Sequence, residues 1–402
     1  RCPTCGAVAG RAVANTQAAW PPPSRMQQCA RCGYSGQGIS YFSRPGHVGL
    51  LVGVSIFTYG LGGLAYWLAR RPKAVLGLLP RLFGSLPGSG LNLLENLLGL
   101  GFALTHAHQL SDRGRVLHAA WATAPGAAAQ LIAALCNRPF TLGAHAYDVF
   151  RDGGDWWLEE KLRQAAMVVT STDATATALR ERGADPGKLQ VIRRGLNVFP
   201  PMKAMRATRA PLRLLCVGRL IEKKGYEHQL TLYARCMEVG LNFEARIVGG
   251  GPLANVLRAQ LLELKLEGYV ELLGVLGEDE TAELYRWADV FVYTGVVADS
   301  GDQDGLPNVI PEAMCAGLPV VSTAVAGVPE AIENEVSGRL LPLEDIAQWI
   351  EALRRLATDD EYYARLRKEA RRWVEMEFDA SANAAKLVAA WDDVMRITPQ
   401  KT

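Results

Sequence analysis

Short apolar runs alternate with amphipathic helical stretches from residue 91 to residue 342 of this 402-residue chain. No other feature restricts the fold as strongly. A run of four to six apolar residues between helical stretches is a strand buried on both faces. That arrangement calls for a parallel sheet sandwiched between helices. The pattern predicts helices at Leu91–Leu104, Pro125–Leu135, Trp156–Ala166 and Thr172–Arg182. It predicts strands at Val116–His118, Phe140–Gly143, Met167–Thr170 and Leu189–Ile192. After the proline-containing segment Phe199–Arg209 the alternation restarts, with strands at Leu212–Val217, Phe243–Val248, Val270–Leu273, Val290–Tyr293 and Val320–Thr323.

A chain of this length exceeds one ordinary core. The expected class is α/β, with two Rossmann-like domains facing across a cleft and an atypical N-terminal segment. The expected divisions are an arm at 1–45, a first domain at 46–198, a linker at 199–210 and a second domain at 211–380. A last helix within 381–402 is expected to return to the first domain. In such sheets ligands bind beyond the carboxyl ends of the strands, so the cleft is the default site.

The segment from Asp304 to Ser322 carries the most chemistry. Asp304 and Glu312 bracket Gly305, Leu306, Pro307 and Asn308, which read as the start of a helix that Gly317 can end. A helix N-terminus attracts anions, whereas carboxylates beside it are suited to accept hydrogen bonds from hydroxyls. Phosphate beside polyol suggests a nucleotide sugar. Gly218 and Arg219 follow a predicted strand directly, with Lys224 a few residues on, and an Arg fork with a Lys point charge suits a diphosphate. Gly249, Gly250 and Gly251 form a turn that lets a nucleotide approach the backbone, or that simply closes a strand–helix unit. Asp302-Gln303-Asp304 matches an Asp-x-Asp metal motif, but the Gly-Leu-Pro-Asn that follows explains Asp304 better, and no metal is placed there. His145 and His118 close predicted strands at the cleft rim. His145, with Tyr147 and Asp148 beside it, is the stronger candidate for substrate contact. His106 and His108 fall in an expected helix-terminal loop and make a poor metal site.

Charge is divided unevenly. Through Asn197 there are 20 Lys and Arg against 10 Asp and Glu, and no acid precedes Glu95. A basic half suits an anionic membrane surface, or is a solvated face. Nucleic acid is disfavoured because the basic arm lacks interleaved aromatics. Residues 48–69 are mostly apolar, but six glycines between Gly46 and Gly63 argue for a peripheral or buried segment rather than a span. Cys2, Cys5, Cys29 and Cys32 form two Cys-x-x-Cys pairs, the pattern of a structural zinc ribbon. The same Arg-, Cys- and Pro-rich stretch, free of Asp, Glu and Lys, is also what a shifted reading frame would give. No cofactor is expected for catalysis.

Taken together, these residues resemble glycosyltransferase family 4, the retaining transferases of the two-Rossmann, B-type fold. The resemblance rests on Val217–Gly225, Val248–Leu253 and Asp304–Glu330, and on His118–Pro125 and Ala144–Phe150, which are similar to the exopolysaccharide and colanic-acid branch. It implies that Arg219 and Lys224 hold the donor diphosphate, that Glu312 binds the ribose, and that Asp304 with Gly305–Asn308 holds the transferred sugar. His145 would approach the sugar or the acceptor. The partners implied are a nucleotide-diphosphate sugar and a lipid-linked or polysaccharide acceptor, at the cytosolic face of a membrane. A nucleotide-sugar epimerase or a non-catalytic nucleotide-sugar-binding protein is the alternative. Residues 1–45 depart from the family's opening strand, glycine loop and helix, unless that loop is displaced to Tyr59–Gly63.

Overall fold

The computed structural model describes residues 26–28, 35–37, 61–77, 87–110 and 116–397. The four cysteines of the N-terminal arm and residues 46–60 lie outside the described residues. The chain forms two compact units, 1–66 and 67–402. In the first, strands β1 (Met26–Gln28) and β2 (Ser35–Gln37) make an antiparallel pair.

The larger unit contains two parallel sheets. The first has the order β3-β4-β5-β6, formed by Leu117–Ala119, Phe140–Gly143, Met167–Thr170 and Leu189–Val191. Helices Ala124–Cys136, Leu158–Gln164 and Asp173–Glu181 lie in the crossovers between them. Helix Gly90–Leu110 packs on Ala124–Cys136 so closely that a Cβ on Gly99 would stand 2.2 Å from the Ala124 carbonyl oxygen. His106 and His108 sit inside this helix rather than in a loop, because its apolar face continues through Ala103 and the fully buried Ala107. Residues 61–63 are likewise helical, so a glycine loop at Tyr59–Gly63 does not extend past residue 60. A Cβ at Gly62 would meet open space, and nothing there forces a turn.

The second sheet has the order β12-β11-β10-β7-β8-β9. Its strands are β7 (Leu212–Val217), β8 (Phe243–Val248), β9 (Val270–Gly274), β10 (Val290–Tyr293), β11 (Val320–Ser322) and β12 (Arg339–Leu340). From β7 the chain builds outward through β8 and β9, then returns to lay β10 on the other side of β7. The strand order therefore reverses between β7 and β10, which is where a doubly wound sheet opens a binding crevice. Tyr226, Tyr233, Phe291 and Trp349 are fully buried around this sheet, each contributing about 1.5–3 kcal/mol by burial.

The connection between domains is tied to the second one. Arg206 pairs with Asp289 at 2.5 Å, Arg209 with Asp360 at 2.5 Å, and Arg371 donates to the Pro200 carbonyl at 2.7 Å. The chain crosses back beside it: Leu196 N–H donates to Phe378 O and Ala380 N–H to Leu196 O. A Cβ at Gly195 would stand 2.3 Å from Ala380 Cα, so only glycine allows that crossing. Helix Ala380–Ile397 then lays Val394, Leu387, Ala390 and Trp391 against Met167 and Val169 of β5. Among the described residues no helix is long and apolar enough to cross a membrane.

Candidate functional site

The turns after β7 and β10 meet at the point where the strand order reverses. After β7, a short 3-10 turn, Glu222–Lys224, buries both Lys223 and Lys224. Gly225 closes it at φ 68°, where a Cβ would overlap the Thr294 carbonyl oxygen at 1.8 Å. From the β10 side comes Asp304. Its carboxylate accepts from Lys224 Nζ at 2.5 Å and from the Tyr293 hydroxyl at 2.7 Å, and lies 3.4 Å from Lys223 Nζ. Burial pushes the Asp304 carboxyl up, but the two ammonium groups and these hydrogen bonds outweigh it, and its pKa ends below the ordinary value. Asp302 is held by Lys223 at 2.9 Å. Both carboxylates of the Asp-x-Asp triplet are thus committed to lysines.

Arg219 is exposed at the end of β7, and its guanidinium has no ion-pair partner among the described residues. Gly218 precedes it, with its carbonyl accepting from the Tyr226 hydroxyl at 3.0 Å. The glycine triplet stitches three strand ends together. Gly249 N–H donates to Gly274 O, and Leu220 N–H donates to Gly250 O. A Cβ on Gly249 would overlap the Gly218 oxygen at 1.8 Å, and one on Gly251 would stand 2.4 Å from the Leu220 oxygen. Close packing of the turns is therefore enough to require these glycines.

Gly305, Leu306 and Pro307 lead to Asn308, the N-cap of helix Val309–Ala316, which Gly317 ends at φ 80°. Glu312, in the first turn, accepts from the Tyr285 hydroxyl at 2.9 Å. Burial raises its pKa, which that hydrogen bond only partly offsets. Glu312 lines a cavity of about 460 Å³ with Leu276, Tyr285, Val198 and Lys203. It does not join the Lys224–Asp304 cluster directly.

His145 belongs to the first domain, at the end of β4, where it precedes the short helix Ala146–Phe150. Its ring stands edge-on to Trp121 with centroids 5.5 Å apart. Burial, with the charges of Arg194 and His118 adding to it, lowers its pKa to about 4, so the imidazole is neutral at pH 7. Asp148 accepts from the backbone N–H of Ala122 at 3.0 Å and of His145 at 3.4 Å, joining the ends of β3 and β4. Burial raises its carboxyl to about 7 against those bonds. His145 Nδ1 and Asp148 Oδ1 are buried without a hydrogen-bond partner among the described residues. Ala146 sits at φ 30°, a strained setting for a residue with a side chain. His118 bonds Thr141 at 2.9 Å and its ring meets Trp391 edge-on, which accounts for it structurally.

The two halves touch at the far end of the His145 helix. Asp152 N–H donates to Ser300 O at 2.8 Å, and a Cβ on Gly301 would stand 3.0 Å from Phe150 O.

Lys161 was not singled out from the sequence. It is fully buried and pairs with Asp155 at 2.6 Å while donating to Asn96 Oδ1 and to the Ala122 carbonyl, both at 2.6 Å. This network underpins the turn that carries Trp121. A lysine on the apolar stripe of Leu158, Leu162 and Ala165 was the available signal.

The chain has relatives among known proteins. Residues 52–198 match the model of Glycosyltransferase Family 4, and residues 205–373 that of Glycosyl transferases group 1. The chain is 34% identical over 226 residues to a protein of Escherichia coli assigned to colanic acid biosynthesis as glycosyltransferase WcaL, covering 55% of each chain. It is 35% identical over 198 residues to the amylovoran biosynthesis glycosyltransferase AmsK of Erwinia amylovora, covering 49% of each. The matched stretches thus span about half the length of these relatives. Among solved structures, Anabaena Alr3699/HepE in complex with UDP and glucose superposes with a TM-score of 0.60 at 19% identity, covering 76% of this chain and 84% of that one. Sucrose-phosphate synthase from Thermosynechococcus elongatus gives 0.63 at 20%, covering 75% and 79%. The two family matches together take in most of the chain, the two parallel sheets have the B-type glycosyltransferase fold, and the chain belongs to glycosyltransferase family 4.

Proposed function

We propose that this protein moves a sugar from a nucleotide-diphosphate sugar to a hydroxyl of a growing polysaccharide or lipid-linked glycan. The observation that carries this reading is the Lys224–Asp304–Tyr293 cluster at the strand-order reversal, with exposed Arg219 beside it. Arg219 and Lys224 meet the diphosphate. Lys224 has three donors, so it keeps Asp304 while turning another proton toward phosphate. Asp304 and the backbone of Gly305–Asn308 hold the sugar hydroxyls, and Glu312 takes the ribose. Gly218, Gly250 and Gly251 keep the surrounding turns close. His145, neutral at working pH, offers one donor and one acceptor to a sugar or acceptor hydroxyl.

The chemistry is electrostatic. Breaking the bond between the anomeric carbon and phosphate leaves charge on the diphosphate, and fixed cations there stabilise the transition state more than the ground state. We assign that role to Arg219 and Lys224 without a metal ion, since Asp302 and Asp304 are already committed to Lys223 and Lys224. Among the described residues no side chain stands as an evident nucleophile, so we propose attack by the acceptor on the face the diphosphate leaves. The phosphate oxygen takes the acceptor proton, and configuration is retained.

We further propose docking at the cytosolic face of a membrane. Leu91, Leu94, Leu97 and Phe102 are exposed on helix Gly90–Leu110, and Arg70, Arg71 and Lys73 are exposed nearby in sequence. Co-sedimentation with anionic vesicles, lost when Leu94 and Leu97 become Ser, tests it.

The activity is tested by incubating the full chain with UDP-, GDP- and ADP-sugars and following nucleoside diphosphate release with and without polysaccharide or glycolipid acceptors. A matching sugar also raises the melting temperature, by the equivalent of about 2.7 kcal/mol at a hundred times Kd. Release that depends on acceptor supports transfer, and interconversion of the donor sugar without acceptor would indicate an epimerase.

A further inference from the structure

We propose that Glu330 is a positioning residue: an anionic clasp that seats the first domain on the donor-sugar loop. The proposal rests on reading Asp304–Asn308 as that loop.

Helix Asp173–Glu181 of the first domain begins with three amide groups that have no partner within the helix. One is satisfied locally, because Thr175 N–H donates to the Thr172 side chain at 3.2 Å. The other two are satisfied from the second domain. Asp173 N–H donates to Glu330 Oε2 at 2.9 Å, and Ala174 N–H donates to Glu330 Oε1 at 2.8 Å. One carboxylate thus caps a helix more than 150 positions away, where the helix dipole favours negative charge. Arg193, just past β6, completes the clasp. It reaches Glu330 at 2.8 Å, Asp173 at 3.3 Å and Glu377 at 3.6 Å. The side chains of Arg193 and Glu330 are 16% and 14% exposed, so salt screens this pair less than a surface pair.

The clasp is bonded to the donor loop as well. Glu330 ends the 3-10 turn Val328–Glu330, and the preceding Gly327 donates its N–H to Gly305 O at 2.9 Å. A Cβ on Gly327 would stand 2.8 Å from Thr172 Cγ2 and 2.9 Å from Gly305 O. The loop, the cap of the first-domain helix and the Glu330 turn therefore meet at one point that admits only glycine. When the clasp is made, Gly305 is held against Thr172. When it opens, water takes the two amides, and the loop loses its support from the first domain.

The test compares the full native chain with Glu330→Gln and Arg193→Met. Glutamine puts a donor NH2 in place of one of the two accepting oxygens and removes the charge, and Arg193→Met weakens the clasp while leaving the cap intact, which keeps the test available should one variant fold poorly. Affinity for UDP-glucose, GDP-mannose and ADP-glucose is measured by calorimetry, kcat and KM by transfer, and the radius of gyration by X-ray scattering without nucleotide. The clasp predicts donor affinity within about threefold of native, kcat reduced about tenfold or more in Glu330→Gln, and a larger radius of gyration. Native kcat with an unchanged radius would overturn it. A native chain that binds none of these nucleotides would refute the donor reading instead, while scattering still decides the clasp.

Discussion

The two halves of the cleft are built from opposite materials. The second-domain half is ionic: Lys223 pairs with Asp302 and Asp304, and Lys224 with Asp304, with Arg219 exposed alongside. The first-domain half is polar and closer to neutral: His145 is driven down to about 4 and Asp148 up to about 7, beside Trp121 and Tyr147, with Arg194 as a fixed cation over the Trp121 ring. Charge sits where a diphosphate would shed its sugar. In the proposed reaction, the acceptor hydroxyl approaches the His145 side, where hydrogen-bonding groups outnumber charges.

If this contrast is real, the halves respond differently to mutation. The largest effect falls on the foundation of the neutral half. Lys161→Met leaves Asp155 buried without its cation and is expected to cost about 3–5 kcal/mol in urea unfolding. An effect below about 1 kcal/mol would mean that the network does not hold the Trp121 turn. In the ionic half, Lys224→Met is expected to lower kcat about 10²–10³-fold with the fold intact. A change confined to KM would make Lys224 a binding group only. Glu312→Ala is expected to weaken nucleoside diphosphate binding by about 1.5–3 kcal/mol, read by calorimetry. Equal affinity would move the ribose elsewhere.

The smallest effect is the most diagnostic of the neutral half. A histidine with a depressed pKa adds stability as pH rises through the interval from about 4 to 6.5. A carboxylate with a raised pKa loses stability as pH rises from about 4 to 7. In the native chain the two contributions oppose each other. Relative to native, Asp148→Asn should gain stability with rising pH over that window and His145→Asn should lose it, each by at most about 1.4 kcal/mol per pH unit. Parallel curves for all three proteins would mean that neither group is held neutral.

Much of the fold was legible because strand and helix periods are local. The strands of both sheets fall within a residue or so of the apolar runs, and Gly317 ends its helix where a left-handed residue is needed. Strand β12 has only two residues, too few to show a period. The residues of the ionic cluster were legible as types in a pattern, yet the sequence could not show that Lys224 would lie against Asp304, 80 positions away. Glu330 was passed over for the same reason, since its partners belong to another domain. Lys161 carries no motif in the sequence, and only its place on the stripe with Leu158 and Leu162 marks it as buried. His106 and His108 were misplaced because nothing local marks where that helix stops.

The central claim is that the ionic half holds a nucleotide sugar for transfer. It is tested most directly by incubating the native chain and Lys224→Met with UDP-, GDP- and ADP-sugars and following products by NMR. The account predicts that the native chain consumes one donor, releases its nucleoside diphosphate and gives a product of retained anomeric configuration, and that Lys224→Met loses nearly all of this. Failure of the native chain to bind or consume any of these donors would contradict it.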